Sequence, residues 1–318
     1  MVINAKHAAS LLSEGAVIAI PTETVWGLAA RADDPTAVRK ILRLKGREEG
    51  KPLTLFPQNL SAIAQYVFLN EAATRLIDAG FIPGPLTVVL ASRVSWPGLV
   101  ASDGSIGIRI PKHREIIRLL AGLEFPLATT SANPSGLEPA KNLKELEAYF
   151  PDIPALKGES GAQEPSTVLD ARSVPLIILR RGHIGLLDIE KATGMRTVSS
   201  SMRVLFVCTG GVDRSPAAAR WLTDQSISGV EARFTGTLWQ EDEVLSLARW
   251  ADLIFPLESY HKEFLEDIGV PTWRIMKPLG IPDPHGLEEP MRRAIFTSLE
   301  KTLIQYVLPE IRARLRGA

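Results

Sequence analysis

Residues 203–219, RVLFVCTGGVDRSPAAA, constrain this chain more than any other stretch. Residues 203–207 form a short apolar run of the kind buried in a parallel sheet. Cys208 closes that strand, Thr209-Gly210-Gly211-Val212-Asp213 make a tight glycine-bearing loop, and Arg214 follows. Ser215-Pro216 reads as an N-cap and a first-turn proline opening a helix through Leu222. Strand, glycine loop and helix N-terminus in succession aim backbone N–H groups and the helix dipole at one spot, an anion cradle. A cysteine there is favoured as a nucleophilic thiolate. An arginine six residues later can return over the loop and grip two oxygens of a phosphate. The plainer alternative is a buried strand-end cysteine with an unrelated arginine nearby. The coincidence of strand, loop and Ser-Pro start favours the cradle.

This unit occupies only the last third of the chain, and 318 residues are enough for two domains with separate cores. Lys plus Arg and Asp plus Glu number 36 each, so bulk charge gives no argument for nucleic acid or a membrane surface. The single cysteine excludes an internal disulfide and a cysteine-based zinc site, and the five histidines are scattered, so no metal site is expected. One thiol also fits a reducing cytoplasm. The first residues lack the charged-then-apolar build of a signal peptide, and apolar runs such as Leu86–Ala91 are too short for a bilayer. The expectation is a soluble, cytoplasmic protein.

Before residue 203 the chain alternates apolar runs with amphipathic stretches. Residues 5–12 suit a helix capped by Asn4, and residues 16–20 a strand. Pro21-Thr22-Glu23-Thr24-Val25-Trp26-Gly27-Leu28 then places hydroxyls and a carboxylate after a strand end, where α/β sheets carry ligand contacts. Asp34-Pro35 opens a helix that delivers Lys45-Gly46-Arg47; taken alone, that pair suits a solvated helix end. Strands are expected at 53–56, 86–90, 105–111, 127–130, 165–170 and 176–179, with helices at 60–66, 71–79, 113–120 and 143–149. Arg109 stands among apolar strand neighbours and wants a partner or an anionic ligand. Ser131-Ala132-Asn133-Pro134-Ser135-Gly136 follows a strand, although an ordinary turn has the same composition. Thr24, Lys45, Arg47, Ser105, Arg109, Ser131, Asn133, Ser166 and Arg180 all fall near element ends. Cations and hydroxyls converging on one cleft would suit a nucleotide triphosphate and a carboxylate.

Residues 5–185 resemble the YrdC/Sua5 family of threonylcarbamoyl-adenylate synthases. PTETVWGLAA, KGREEGKPL, PGPLTVVL, IGIRIP, SANPSG, PSTVLD and LRRG occur in that family's order and spacing. The resemblance implies a twisted open α/β sheet with a concave basic cavity. It also implies ATP as substrate, accompanied by Mg2+, joined with L-threonine and bicarbonate to release pyrophosphate and threonylcarbamoyl-AMP. A transferase complex then passes the threonylcarbamoyl group to tRNA. On this resemblance Arg47, Ser105, Asn133 and Arg180 contact ATP, while Thr24, Arg109, Ser131 and Ser166 surround threonine. Lys45 supplies charge at the reacting centre. Lys51 stands at a binding position where the family has asparagine, and Phe56 where longer members have a threonine-contacting histidine. The rival is a module that holds double-stranded RNA or tRNA in the same cavity without chemistry.

From residue 202 onward the chain resembles the low-molecular-weight protein tyrosine phosphatases. By that resemblance Cys208 attacks phosphorus, and Arg214 with the amides of Thr209, Gly210 and Gly211 stabilises the transferring group. Ser215 supports the thiolate, and Asp283, in Ile281-Pro282-Asp283-Pro284, protonates the leaving oxygen. Gly211 replaces an asparagine, Asp213 a second cysteine, and His285-Gly286 an aromatic pair, so the phosphorylated substrate is not implied. A non-catalytic phosphate sensor is the rival. The expected organisation is α/β throughout: a synthase-like domain at 1–185, a polar linker at 186–201, and a parallel-sheet phosphatase-like domain at 202–318.

Overall fold

The computed structural model describes residues 1–46, 52–161 and 164–315. It divides into two compact units, 1–184 and 185–318.

The first unit is one mixed sheet with helices packed on it. Its strands are β1 (Val2–Ile3), β2 (Ile18–Ile20), β3 (Gly27–Arg31), β4 (Thr54–Phe56), β5 (Leu86–Ala91), β6 (Ser105–Ile108), β7 (Leu127–Ser131), β8 (Ala155–Leu156), β9 (Thr167–Asp170) and β10 (Leu176–Arg180). They lie in the order β1-β8-β2-β3-β7-β4-β6-β5-β9-β10. Pairing is antiparallel at β2/β3, β3/β7, β4/β7, β5/β6 and β9/β10, and parallel at β1/β8, β2/β8, β4/β6 and β5/β9. The helices are α1 (Ala5–Ser13), α2 (Pro35–Lys45), α3 (Ile63–Tyr66), α4 (Glu71–Asp78), α5 (Arg114–Ala121) and α6 (Leu143–Tyr149).

Caps and periodicity explain the two helices that matter most. Asn4 accepts the His7 N–H at 3.0 Å and starts α1, whose Ala8 and Leu12 face inward. Leu12 packs with Ile18, Ile20, Ile116, Leu119, Leu120 and Leu127 into one core cluster. Each such side chain contributes roughly 1.5–3 kcal/mol. Asp34 accepts the Thr36 N–H at 2.8 Å with Pro35 in the first turn of α2. The helical period then puts Ala37, Val38, Ile41 and Lys45 on the buried stripe. Lys45 is therefore only 5% exposed, which rules out the solvated helix end for this residue.

In the second unit, α7 (Leu186–Thr193) and β11 (Thr197–Ser199) come first. Then follow β12 (Met202–Cys208), α8 (Arg214–Asp224), β13 (Val230–Gly236), α9 (Glu241–Trp250), β14 (Leu253–Pro256) and α10 (Ser259–Asp267). A 3-10 turn covers Thr272–Arg274, and α11 (Glu289–Thr302) passes through a π-helical turn (Leu303–Val307) into α12 (Leu308–Arg314). The strands β13-β12-β14 make a parallel sheet with β12 in the centre. Leu205, Val207, Val244, Ile254 and Leu265 pack as its core.

The segment expected as a linker, 186–201, is folded here. Asp188 pairs with Arg274, accepts from Trp273 at 3.2 Å and caps the Gly185 N–H at 3.1 Å. Glu190 accepts the Thr197 N–H at 2.9 Å, and Ser199 bridges to Leu315. Its small polar residues had suggested a linker, but Leu186, Ile189 and Val198 are buried, and that burial decides the structure. Among the described residues, no helix is long and apolar enough to cross a membrane.

Candidate functional site

Three hydrogen-bonded groups in the first unit hold most of the residues that the sequence singled out. Lys45 Nζ donates to the Ser131 carbonyl at 2.7 Å, to Ser131 Oγ at 3.3 Å and to Asn133 Oδ1 at 2.8 Å. Ser131 Oγ also donates to Asn133 Oδ1 at 2.6 Å, and the Asn133 amide fastens to the Leu137 carbonyl at the same distance. So the SANPSG stretch is not a free turn; it is shaped around a buried ammonium.

The second group centres on Arg109, which is 6% exposed. Its Nη2 donates to Glu23 Oε1 at 2.9 Å and to Thr24 Oγ1 at 3.0 Å, and its Nε to the Gly84 carbonyl at 3.1 Å. Burial pulls the Arg109 pKa below the ordinary arginine value, with the Glu23 carboxylate opposing. Thr22 Oγ1 lies 2.8 Å from Thr24 Oγ1 and fixes that hydroxyl. Phe56, standing where a histidine had been expected, places its ring 5.9 Å from the Arg109 guanidinium.

In the third group, Arg180 donates to the Ser166 carbonyl at 2.9 Å and to Ser166 Oγ at 3.0 Å, and Thr87 Oγ1 lies 3.0 Å from the same hydroxyl. Gly182 is needed beside it: a Cβ there would come within 2.2 Å of the Pro165 carbonyl.

Backbone contacts join the groups into one region. Gly27 of β3 is in register with Ser131, and Ala132 N–H donates to the Trp26 carbonyl. Gly84, which accepts from Arg109, precedes Pro85, whose carbonyl accepts from Thr167 N–H. Ser105 is not drawn in. Its hydroxyl donates to Asp103 at 2.6 Å, in a surface cluster where Arg172 bridges Asp103 and Asp170. Four residues of strand separate it from Arg109, about 13 Å at ~3.3 Å per residue. Arg47 and Lys51 lie outside the described residues. Thr87 was missed as a contact, while Thr22 and Glu23 were marked only as part of PTETVWGL, without a role of their own.

The second unit builds its site at the end of β12. Cys208 Sγ lies 3.0 Å from Ser215 Oγ and accepts the Gly211 N–H at 3.3 Å. The carbonyls of Cys208 and Thr209 accept from the N–H groups of Thr237 and Leu238, and that of Gly210 from the Trp239 indole. With its carbonyls so engaged, the loop has its amide edges left to meet an anion. Gly211 adopts φ +67, and a Cβ there would meet the Trp239 ring at 2.6 Å. Glycine thus stands where asparagine had been expected because the indole fills that space. The helix begins at Arg214, one residue before the expected cap. Ser215 is not an N-cap; its hydroxyl hydrogen goes to the Thr235 carbonyl at 3.0 Å, so it presents a lone pair to Cys208 Sγ and does not donate to the sulfur as the resemblance implied.

Arg214, 2% exposed, ties this site together. Nη1 donates to Glu258 and to the Ile281 carbonyl, and Nη2 to Thr209 Oγ1 at 3.2 Å and Asp283 Oδ2 at 2.8 Å. Burial works against its charge, but Glu258, Tyr260 and Asp283 outweigh burial and raise its pKa. Thr209 Oγ1 also lies 3.1 Å from His261 Nε2 and 2.8 Å from Tyr260 Oη. Burial pushes the His261 pKa down to about 4, with Arg214 adding to the effect. Glu258, Tyr260 and His261 had gone unnoticed. They directly follow β14, and the strand-end rule applied to PTETVWGL would have found them.

Fold and sites together define an α/β chain with a cation- and hydroxyl-lined region in a mixed sheet, followed by a cysteine loop at the end of a central parallel strand. The Sua5/YciO/YrdC family, described as telomere recombination, matches residues 10–182, more than half of the chain, and the chain belongs to that family. The threonylcarbamoyl-AMP synthase of Dichelobacter nodosus is 38% identical over 167 residues, 51% of this chain and 87% of that protein. The threonylcarbamoyl-AMP synthase of Pyrococcus abyssi is 32% identical over 191 residues, 59% of this chain and 56% of that protein. The crystal structure of E. coli YciO is 26% identical, with 56% of this chain and 88% of that one covered and a TM-score of 0.52. P. abyssi Sua5 complexed with L-threonine has a TM-score of 0.57 over 87% of this chain and 99% of that one; at 22% identity this likeness shows the fold alone.

Proposed function

We propose that the first unit is an L-threonylcarbamoyl-adenylate synthase. It would join L-threonine, bicarbonate and ATP, release pyrophosphate, and supply threonylcarbamoyl-AMP to a transferase complex for tRNA modification. The observation that carries this reading is the buried Lys45–Ser131–Asn133 group beside Thr24 and Arg109, in a chain of this family. The carbamate formed on the threonine amine is itself the nucleophile, so the protein needs none. It has to bring two anions together and neutralise charge at the α-phosphate. Arg109 and Thr24 suit the threonine carboxylate and hydroxyl, Ser131 and Ser166 complete that pocket, and Lys45 suits the reacting centre. Asn133 and Arg180 suit ATP, with Arg47 and Lys51 on the same stretch as Lys45 and Ser105 as the outlying candidate. Magnesium enters on the ATP phosphates as part of the substrate. Chromatographic detection of threonylcarbamoyl-AMP made from all three substrates tests the reading; an RNA-holding module would make none.

We propose further that the second unit, from residue 185, is a cysteine-dependent phosphomonoester hydrolase. The Gly211 N–H on Cys208 Sγ, with Arg214 held over the loop, supports it. Cys208 would attack phosphorus, the loop amides at Thr209, Gly210 and Gly211 with Arg214 would stabilise the equatorial oxygens, and Asp283 would protonate the leaving oxygen. Hydrolysis of an aryl phosphate that disappears in Cys208→Ser tests it; a phosphate sensor would bind without turnover.

A further inference from the structure

The hydrogen bonds around Arg214 have a fixed direction. The Glu258 N–H donates to His261 Nδ1 at 3.0 Å, so Nδ1 keeps a lone pair and the proton of the neutral ring sits on Nε2. Nε2 lies 3.1 Å from Thr209 Oγ1 and therefore donates to it. Arg214 Nη2 donates to the same oxygen at 3.2 Å. With both lone pairs taken, Thr209 must point its own hydrogen at Tyr260 Oη, 2.8 Å away. Tyr260 passes its hydrogen to Glu258 Oε2 at 2.9 Å, the oxygen that also receives Arg214 Nη1. The circuit closes on itself, with Arg214 bound at two of its members.

We propose that Glu258 and His261 are positioning residues for Arg214, holding its guanidinium over the Cys208 loop through a one-way circuit whose direction is set by the Nε2–H form of His261. This rests on the hydrolase reading of the second unit. Four of the five guanidinium N–H bonds are engaged, by Glu258, Ile281, Thr209 and Asp283, while Nε has no partner among the described residues. An arriving phosphate can take Nε and displace Asp283 from Nη2, while Glu258 and Thr209 stop the plane from turning. A proton on His261 Nδ1 would confront the Glu258 N–H and break the circuit at its first bond. The ionic groups facing His261 are Arg214, Glu258 and Asp283, and the Tyr260 ring lies against it at 4.1 Å. Burial and Arg214 prevail, keeping the ring neutral far below the usual histidine range.

The tautomer is directly measurable in the full chain by imidazole nitrogen NMR at pH 6, with and without inorganic phosphate. One histidine signal, lost in His261→Gln, should be neutral with its hydrogen on Nε2 in both conditions. His261→Phe keeps a ring but has no nitrogens, and kcat/KM for an aryl phosphate should fall tenfold or more. His261→Gln can still donate to Thr209 and should recover most of that loss. If His261→Phe does not fold, the tautomer carries the test. A charged or Nδ1–H ring at pH 6, or a folded His261→Phe protein with wild-type kcat/KM, would overturn the proposal while leaving the hydrolase reading intact. A wild-type protein that neither hydrolyses aryl phosphates nor binds inorganic phosphate would overturn both.

Discussion

Arg214 Nη2 and Asp283 Oδ2 lie 2.8 Å apart, so the group assigned to grip phosphate and the group assigned to deliver the proton hold each other. On the hydrolase reading, a phosphate that claims Nη2 would free Asp283 to act as the acid. Asp283→Asn should then bind inorganic phosphate more tightly than wild type, since the competing carboxylate is gone. It should also lose about 100-fold in turnover of an alkyl phosphate and far less with p-nitrophenyl phosphate, whose leaving group needs little protonation. Equal losses on both substrates would remove Asp283 from the acid role.

Cys208 is the one cysteine in the chain, so alkylation reports on a single site. Inorganic phosphate in the loop should slow its reaction with iodoacetamide at neutral pH, and Arg214→Ala should abolish that protection. Cys208→Ser should lose aryl phosphate hydrolysis completely and leave pyrophosphate release by the first unit unchanged. Protection that persists without Arg214 would mean that the arginine does not bind the anion.

His261 should make the second unit acid-sensitive. Its folded pKa of about 4 lies below the unfolded value of 6.5, so the unfolded chain takes up the proton first as pH falls. The neutral form's contribution is intact above pH 6.5 and is lost progressively towards pH 4, at about 1.4 kcal/mol per pH unit within that window. Denaturant midpoints measured on residues 185–318 should fall between pH 6.5 and 4.5, and His261→Gln should flatten the slope. An unchanged slope would show that another group controls it.

Much of both sites was legible in the sequence, because strand ends followed by glycine, serine or proline are local signals. The Cys208 loop and the PTETVWGL and SANPSG stretches are of this kind. What was hidden is relational. The sequence marks Ser105 as a hydroxyl near Arg109, yet only the strand spacing and the Asp103 partner show how far apart they work. Lys45 suits a solvated helix end when taken alone and was given a role only by the resemblance; the period of α2 puts it on the buried stripe. Glu258 caps α10 and His261 sits in its first turn, and their importance comes from Thr209 and Arg214, about fifty positions away.

The folding of residues 186–201 is equally relational, since Asp188 finds Arg274 only in three dimensions. A fragment starting at residue 202 would strand Arg274 without that carboxylate. Residues 185–318 should therefore outlast residues 202–318 in urea by roughly 3 kcal/mol, the scale of breaking a buried ion pair. Equal midpoints would return 186–201 to the role of a linker.

The synthase assignment of the first unit is tested most directly by pyrophosphate release from ATP by the full chain, with threonine and bicarbonate each present or omitted. Release should require both, and Lys45→Ala, with its fold verified by circular dichroism, should lower it about 100-fold or more, the scale of removing a preorganised charge. Release that ignores threonine, or a Lys45→Ala protein as active as wild type, would contradict the account.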